Sequence, residues 1–235
     1  MTAIFKREMR AYFTDPLGYV FIAVFVFACN ASFYLFNLSA YRSDFSDVFF
    51  LMISFFLILL IPLMTMRLWS DEKKQKTDQL LLTAPVSTTG VVLGKFTAAL
   101  GLFMIALSFT AVYPILVNWK GVLDVGKTVG NYIGVVLVAA AYISVSLFVS
   151  SLTKSQIVSA ICSILALALF WGMDFLITFT TSEFLASMFE FLSIISRYRN
   201  IFIGVLPLSD VFYFISVSGI FLFLTSRVIE KQRWS

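Results

Sequence analysis

Six long apolar runs, separated by short polar links, organise the chain. They lie at about residues 17–38, 48–66, 91–117, 128–152, 157–179 and 211–228. Each reaches the roughly 20 residues that a helix needs to cross the hydrocarbon of a bilayer, and the third is long enough to tilt. A chain in lipid has no water to satisfy exposed backbone groups, so the runs are predicted as helices. The strict alternation of a membrane β-barrel strand is absent. A shorter apolar stretch at 183–195 falls short of a comfortable span, and Pro207 breaks the chain before the last run. Residues 180–207 are therefore read as re-entrant or surface helices. A seventh span there would put the basic C-terminus on the opposite side from the other basic segments.

Two polar segments stand out against this background. Residues 3–13 place Ile4, Phe5, Met9, Tyr12 and Phe13 in one helical stripe, with Lys6, Arg7 and Arg10 on the other side. That pattern predicts an interfacial helix over residues 1–16, with Asp15 and Pro16 turning the chain into the bilayer. A basic tail without fixed structure is the alternative. The second segment, 67–90, holds the densest charge of the chain. It contains Asp71, Glu72, Lys73, Lys74 and Lys76, then Thr77, Gln79, Leu80, Leu81, Leu82 and Pro85. It reads as a short helix capped by Ser70 or Asp71 and ended by Pro85. Charged, sticky and held at the membrane face between two spans, such a helix is suited to docking on a soluble protein. A solvated loop that only sets topology fits the residues equally well.

Composition identifies the solvent. Hydrophobic residues make up 60% of the chain, 27 residues are Phe, and mean hydropathy is +0.95. Only 13% are charged, against about 25% in an ordinary soluble domain. A water-soluble fold of 235 residues could not hide this much apolar surface. No polar segment is long enough to fold alone, so one membrane domain is expected. Charge then sets orientation. With both termini in the cytoplasm, 12 of the 17 Lys and Arg residues fall inside, and Arg42, Lys120, Lys127, Arg197 and Arg199 fall outside. This is the positive-inside bias, and the net charge of +4 is a topology signal with no nucleic-acid partner implied. The first run is longer than the core of a cleaved signal peptide.

Candidate chemistry is sparse. There is no His, which removes the commonest general base and transition-metal ligand. Cys29 and Cys162 lie inside apolar runs and read as small buried hydrophobes. An intramembrane protease or lipid transferase needs clustered His, Asp or Glu within the spans, and Asp174 is the one acidic residue well inside a run. Asp174 reads either as an anchor at the outer interface or as a proton or substrate site. Gly90 to Phe96 superficially resembles a phosphate loop, but three residues separate Gly90 from Gly94, and Phe96 stands where a hydroxyl should ligate Mg²⁺. Gly90 and Gly94 are instead expected to allow close helix contact. Lys95 is expected at the cytoplasmic interface with its ammonium in water. Gly126, Gly130 and Gly134 recur every fourth residue and predict one face of the fourth span close against a neighbour.

The 67–87 segment also carries a family resemblance. Asp71-Glu72-Lys73-Lys74, then Thr77, Leu81, Leu82, Thr83 and Pro85, then Gly94-Lys95, is similar to the cytoplasmic loop of ABC-2-type transporter permeases. The similarity is nearest to the branch that includes the gliding-motility permease. Lys76 and Gln79 depart from that family's frequent Gly and Glu. Further pieces follow in order: Lys6-Arg7-Glu8 to Tyr19, Asn131 to Gly134, Phe148 to Gln156, Ser196-Arg197, Gly204 to Tyr213, and Arg233-Trp234. The resemblance implies an all-α integral membrane fold of six spans. It adds an N-terminal elbow helix bearing Lys6, Arg7 and Arg10, and a coupling helix in which Asp71 to Leu82 meets an ATP-binding-cassette ATPase. It implies a second permease subunit, in a homo- or heterodimer, within the bacterial cytoplasmic membrane. It implies no cofactor in this chain, with ATP and Mg²⁺ held by the partner ATPase, and a mechanical exporter rather than an enzyme. An ATP-independent channel or membrane anchor is the alternative.

Overall fold

Every described element is a helix, and six helical stretches are long and apolar enough to cross a membrane. The computed structural model describes residues 2–39, 44, 46–74, 87–120, 123–180 and 182–234. Helix α1 is Thr2–Thr14, and α2, Pro16–Phe33, begins the first span and ends in a π-helical turn, Tyr34–Leu38. Pro16 fits the first helical position, where the missing N–H is not needed. Gly18 lets the chain fold back tightly, because a Cβ there would lie 2.3 Å from the Tyr12 carbonyl oxygen.

The second span is broken but continuous. It comprises α3 (Ser46–Leu51), a π turn (Met52–Phe56), α4 (Leu57–Thr65) and α5 (Arg67–Lys74). A π turn leaves backbone carbonyls poorly paired, and the Tyr142 hydroxyl donates to one of them, Ile53 O, at 3.4 Å. The third span is α6 (Thr88–Ser108), a 3₁₀ turn (Phe109–Ala111) and α7 (Val112–Lys120). Its interruption has an identifiable cause. Pro114 cannot donate to the carbonyl four residues earlier, and that carbonyl, Thr110 O, accepts from the Tyr132 hydroxyl at 2.8 Å. The fourth and fifth spans are α8 (Val125–Leu152) and α9 (Gln156–Phe179). Two short helices, α10 (Glu183–Leu192) and α11 (Ile194–Phe202), fill the segment expected to hold re-entrant or surface helices. Neither is long enough to cross. Helix α12 (Leu208–Trp234) makes the sixth span.

The core lies between the second and fourth spans. In each, 67% of the most apolar window is buried, against 17–39% for the other four. Helix α8 is central because its middle carries no charged residue on any side. Ala141 to Leu147 are buried without interruption, the signature of a helix enclosed by others. Side-chain contacts between residues distant in sequence group α1, α5, the start of α6, the end of α8, the start of α9 and the end of α12 at one end of the bundle. Both chain termini therefore lie at that end. Cys29 is buried against Met52, as expected, whereas Cys162 is exposed on the outside of α9.

Candidate functional site

The terminal end holds a closed ring of four charges. Arg7 Nη2 lies 2.5 Å from Glu8 Oε1 and 2.5 Å from Glu72 Oε1. Lys95 Nζ lies 3.0 Å from each of the same two oxygens. Three elements meet in it: α1 supplies Arg7 and Glu8, α5 supplies Glu72, and α6 supplies Lys95. The Lys95 ammonium also donates to Leu68 O at 2.6 Å and sits 4.9 Å from the centre of the Trp69 ring. Its side chain is 1% exposed. A buried ammonium is tolerated only when paired and hydrogen-bonded, and here two carboxylates and a carbonyl meet that demand.

This overturns the expectation that Lys95 places its charge in water. Helices α1 and α5 close over the first turns of α6 and bring the acids to the lysine. Burial pushes the Glu8 carboxyl up, but the Lys95 ammonium and the Arg7 guanidinium outweigh it and hold the carboxyl below its ordinary value. Burial also opposes the Arg7 charge, and Glu8 and Glu72 outweigh it, so its pKa is raised.

Helix α5 is fastened on its other faces as well. Ser70 is fully buried, with its hydroxyl 3.4 Å from both Ser150 O and Ser150 Oγ. Gln156 donates to Asp71, and Lys73 donates to Ser151 O. Ser150 donates to Met66 O at 3.1 Å. Residues 67–74 are thus not the start of a separate helix capped by Ser70 or Asp71. Both residues lie inside α5, which carries the second span onward after a turn at Met66. The helix continues because its polar side chains find partners on α1, α8 and α9. Asp71, Glu72 and Lys73 all turn inward, and Lys74 is exposed. Thr77, Gln79, Leu80, Leu81, Leu82 and Pro85 lie outside the described residues.

On α1, the buried stripe is Ile4, Glu8 and Tyr12. Sequence reading placed Ile4 and Tyr12 on this face and passed over Glu8. Its signal was the spacing: an acid four residues from each of two apolar neighbours, in step with the buried face. Phe5 and Met9 reach the third span at Gly101, while Lys6, Arg7 and Arg10 line the outer stripe. Gly90 to Phe96 lie within α6 and form no phosphate loop. Among the described residues, a Cβ on Gly90 would meet only its own cap, Ser87.

The opposite end is held by its own polar contacts. Lys127 pairs with Asp44 at 2.5 Å, Ser46 donates to Asp44, Asn131 donates to Ser46, and Tyr198 donates to Asn131. Burial raises the Asp44 carboxyl, but Lys127 and Ser46 bring it below its ordinary value. Asp210, 1% exposed at its side chain, pairs with Arg197 at 3.1 Å and accepts from Asn200. Asp174 accepts from Ser196 at 2.6 Å and pairs with Arg199 at 3.1 Å, which ties the end of α9 to α11. The glycine series behaves unequally. A Cβ on Gly134 would lie 2.6 Å from Ile201 Cγ2 and 3.0 Å from the Tyr198 ring, so α11 packs directly on α8 there. Gly130 is in ordinary contact with Leu206, and among the described residues Gly126 meets only Asp124, its own helix cap.

Among the described residues these polar contacts fasten helices to one another. No curated protein matches the chain. The ABC-2 family transporter protein description matches residues 2–229, nearly the whole chain. The chain therefore belongs to the ABC-2 transporter family, as a multi-pass membrane permease subunit whose ATPase activity resides in a separate subunit.

Proposed function

We propose that this chain is the permease of a bacterial exporter related to the gliding-motility branch, with both termini in the cytoplasm. The separate ATPase carries ATP and Mg²⁺, and a second permease completes the membrane half. Helix α1 acts as the elbow, and α5 with the chain that follows it acts as the coupling segment. The distribution of Lys and Arg, 12 of 17 toward the terminal side, supports the orientation.

The observation that carries the reading is the charge ring, which ties α5 to α1 and α6. Closure of two ATPase subunits would push on the chain beyond Lys74. Through the ring that push would reach the first, second and third spans together. The docking contact itself is assigned to exposed Lys74 and to Thr77, Gln79, Leu80, Leu81 and Leu82, because Asp71, Glu72 and Lys73 are engaged within the chain.

The test is co-purification of the permease with an ATP-binding-cassette subunit from its own membranes. Leu81→Asp should put a charge into the apolar contact and weaken the complex 100-fold or more, while the permease still inserts. Undiminished co-purification with that variant removes Leu81 from the contact. Failure of the native chain to bring down any such subunit favours the channel or anchor instead.

A further inference from the structure

Two neighbouring cavities at the terminal end share Asp15. One is an apolar groove of about 630 Å³ between the start of α2 and the end of α4, walled by Leu17, Val20 and Val24 against Leu60 and Leu63. The other is a shallower cleft of about 570 Å³ along the outer stripe of α1, lined by Lys6, Arg7, Arg10 and Asp15. Arg7 is held by the ring, and Arg67 at the groove mouth is held by Asp15. Lys6 and Arg10 are exposed and make no ion pair among the described residues. An apolar slot therefore opens beside two cations with no acid of their own.

We propose that the two cavities together bind one anionic glycerophospholipid, with an acyl chain in the groove and the phosphate against Lys6 and Arg10. Guanidinium and ammonium groups match phosphate oxygens. A cytoplasmic leaflet is negatively charged, and that choice of leaflet rests on the orientation proposed above. Both walls of the groove are apolar along Leu17 to Val24, which suits an acyl chain lying along it. Asp15, the acid lining both cavities, is already held by Arg67, so the same face of a second copy would bring no free carboxylate of these cavities to Lys6 and Arg10.

The experiment is native mass spectrometry of the purified permease from nanodiscs holding equal phosphatidylglycerol and phosphatidylcholine. One phosphatidylglycerol should be retained, with a preference of about 10-fold or more. Lys6→Gln with Arg10→Gln should bring the preference near unity and leave the groove occupied. Val20→Trp, at a position 58% exposed, should fill the groove and abolish retention of both lipids without lowering the melting temperature. Equal retention of the two lipids by the native chain overturns the site, as does undiminished retention by Val20→Trp. Competition by glycerol phosphate as strong as by the whole lipid would make this a free-phosphate site and overturn the lipid assignment. Disulfide cross-linking of Leu63→Cys between two copies would assign the groove to a subunit contact. No step uses ATP or cargo, so failure here leaves the transport reading standing.

Discussion

Lys95 carries its charge where water does not reach, held by Glu8, Glu72 and the Leu68 carbonyl. Removing Lys95 leaves two largely buried carboxylates to share the half-exposed Arg7 alone, at a cost of up to about 3–5 kcal/mol. Lys95→Met should therefore lower the melting temperature of the detergent-solubilised protein sharply. Adding Glu8→Gln and Glu72→Gln to that variant should recover much of the loss, because the stranded carboxylates are then gone. If the single change melts like the native chain, the ring does not hold the junction. Acid should act through Glu8. Its folded pKa lies below the ordinary value of 4.5, so the unfolded chain binds more protons than the folded one in that range. The stability it lends is complete above 4.5 and is lost as pH falls through the lowered folded value. Melting temperature measured from pH 6 downward should fall more steeply for the native protein than for Glu8→Gln. Parallel profiles would show that Glu8 is not the responsible group.

Among the elements, the contact of α11 on α8 depends on one missing side chain. Gly134→Ala puts a methyl 2.6 Å from Ile201 Cγ2, an overpacking expected to cost about 1–3 kcal/mol. Ile201→Ala in the same chain should relieve much of it. Gly126→Ala faces only the Asp124 cap and should stay within about 0.5 kcal/mol. Thermal melting of the four proteins checks both statements; equal effects at 134 and 126 would refute the packing account. This pair also shows what the sequence could reveal. Spacing marked a face of the fourth span, but only the position of α11 decides which glycine on it is needed. The spans themselves were legible because apolar length is a local property. The apolar pattern ends the second span at 66 because the charged residues beyond it read as a separate short helix, and their polar side chains find partners on α1, α8 and α9 that no local pattern reveals. Lys95 escaped for the same reason: its acids lie 87 and 23 residues away in the chain. An ionisable residue inside an apolar run does demand a partner, and that was the signal available.

At the scale of the whole molecule, the helices settle which segments share an end, and charge proposes which end faces the cytoplasm. Ser87 caps α6 at the terminal end, and Ser182 precedes α10 at the opposite end. Both are exposed, so each offers a reporter that leaves the core untouched. The protein for this test carries Cys29→Ala and Cys162→Ala, and then Ser87→Cys or Ser182→Cys. A membrane-impermeant maleimide added to intact cells should label the cysteine at 182 and spare the one at 87 until the membrane is opened. The physical basis is the excess of Lys and Arg at the terminal end, which resists translocation. Labelling in the reverse sense would turn the molecule over, and the ring, α5 and the lipid groove would then face away from any cytoplasmic ATPase. Equal labelling of both positions in intact cells would be more damaging, because an arrangement with the two sites at opposite ends of a six-span bundle cannot expose both to one side.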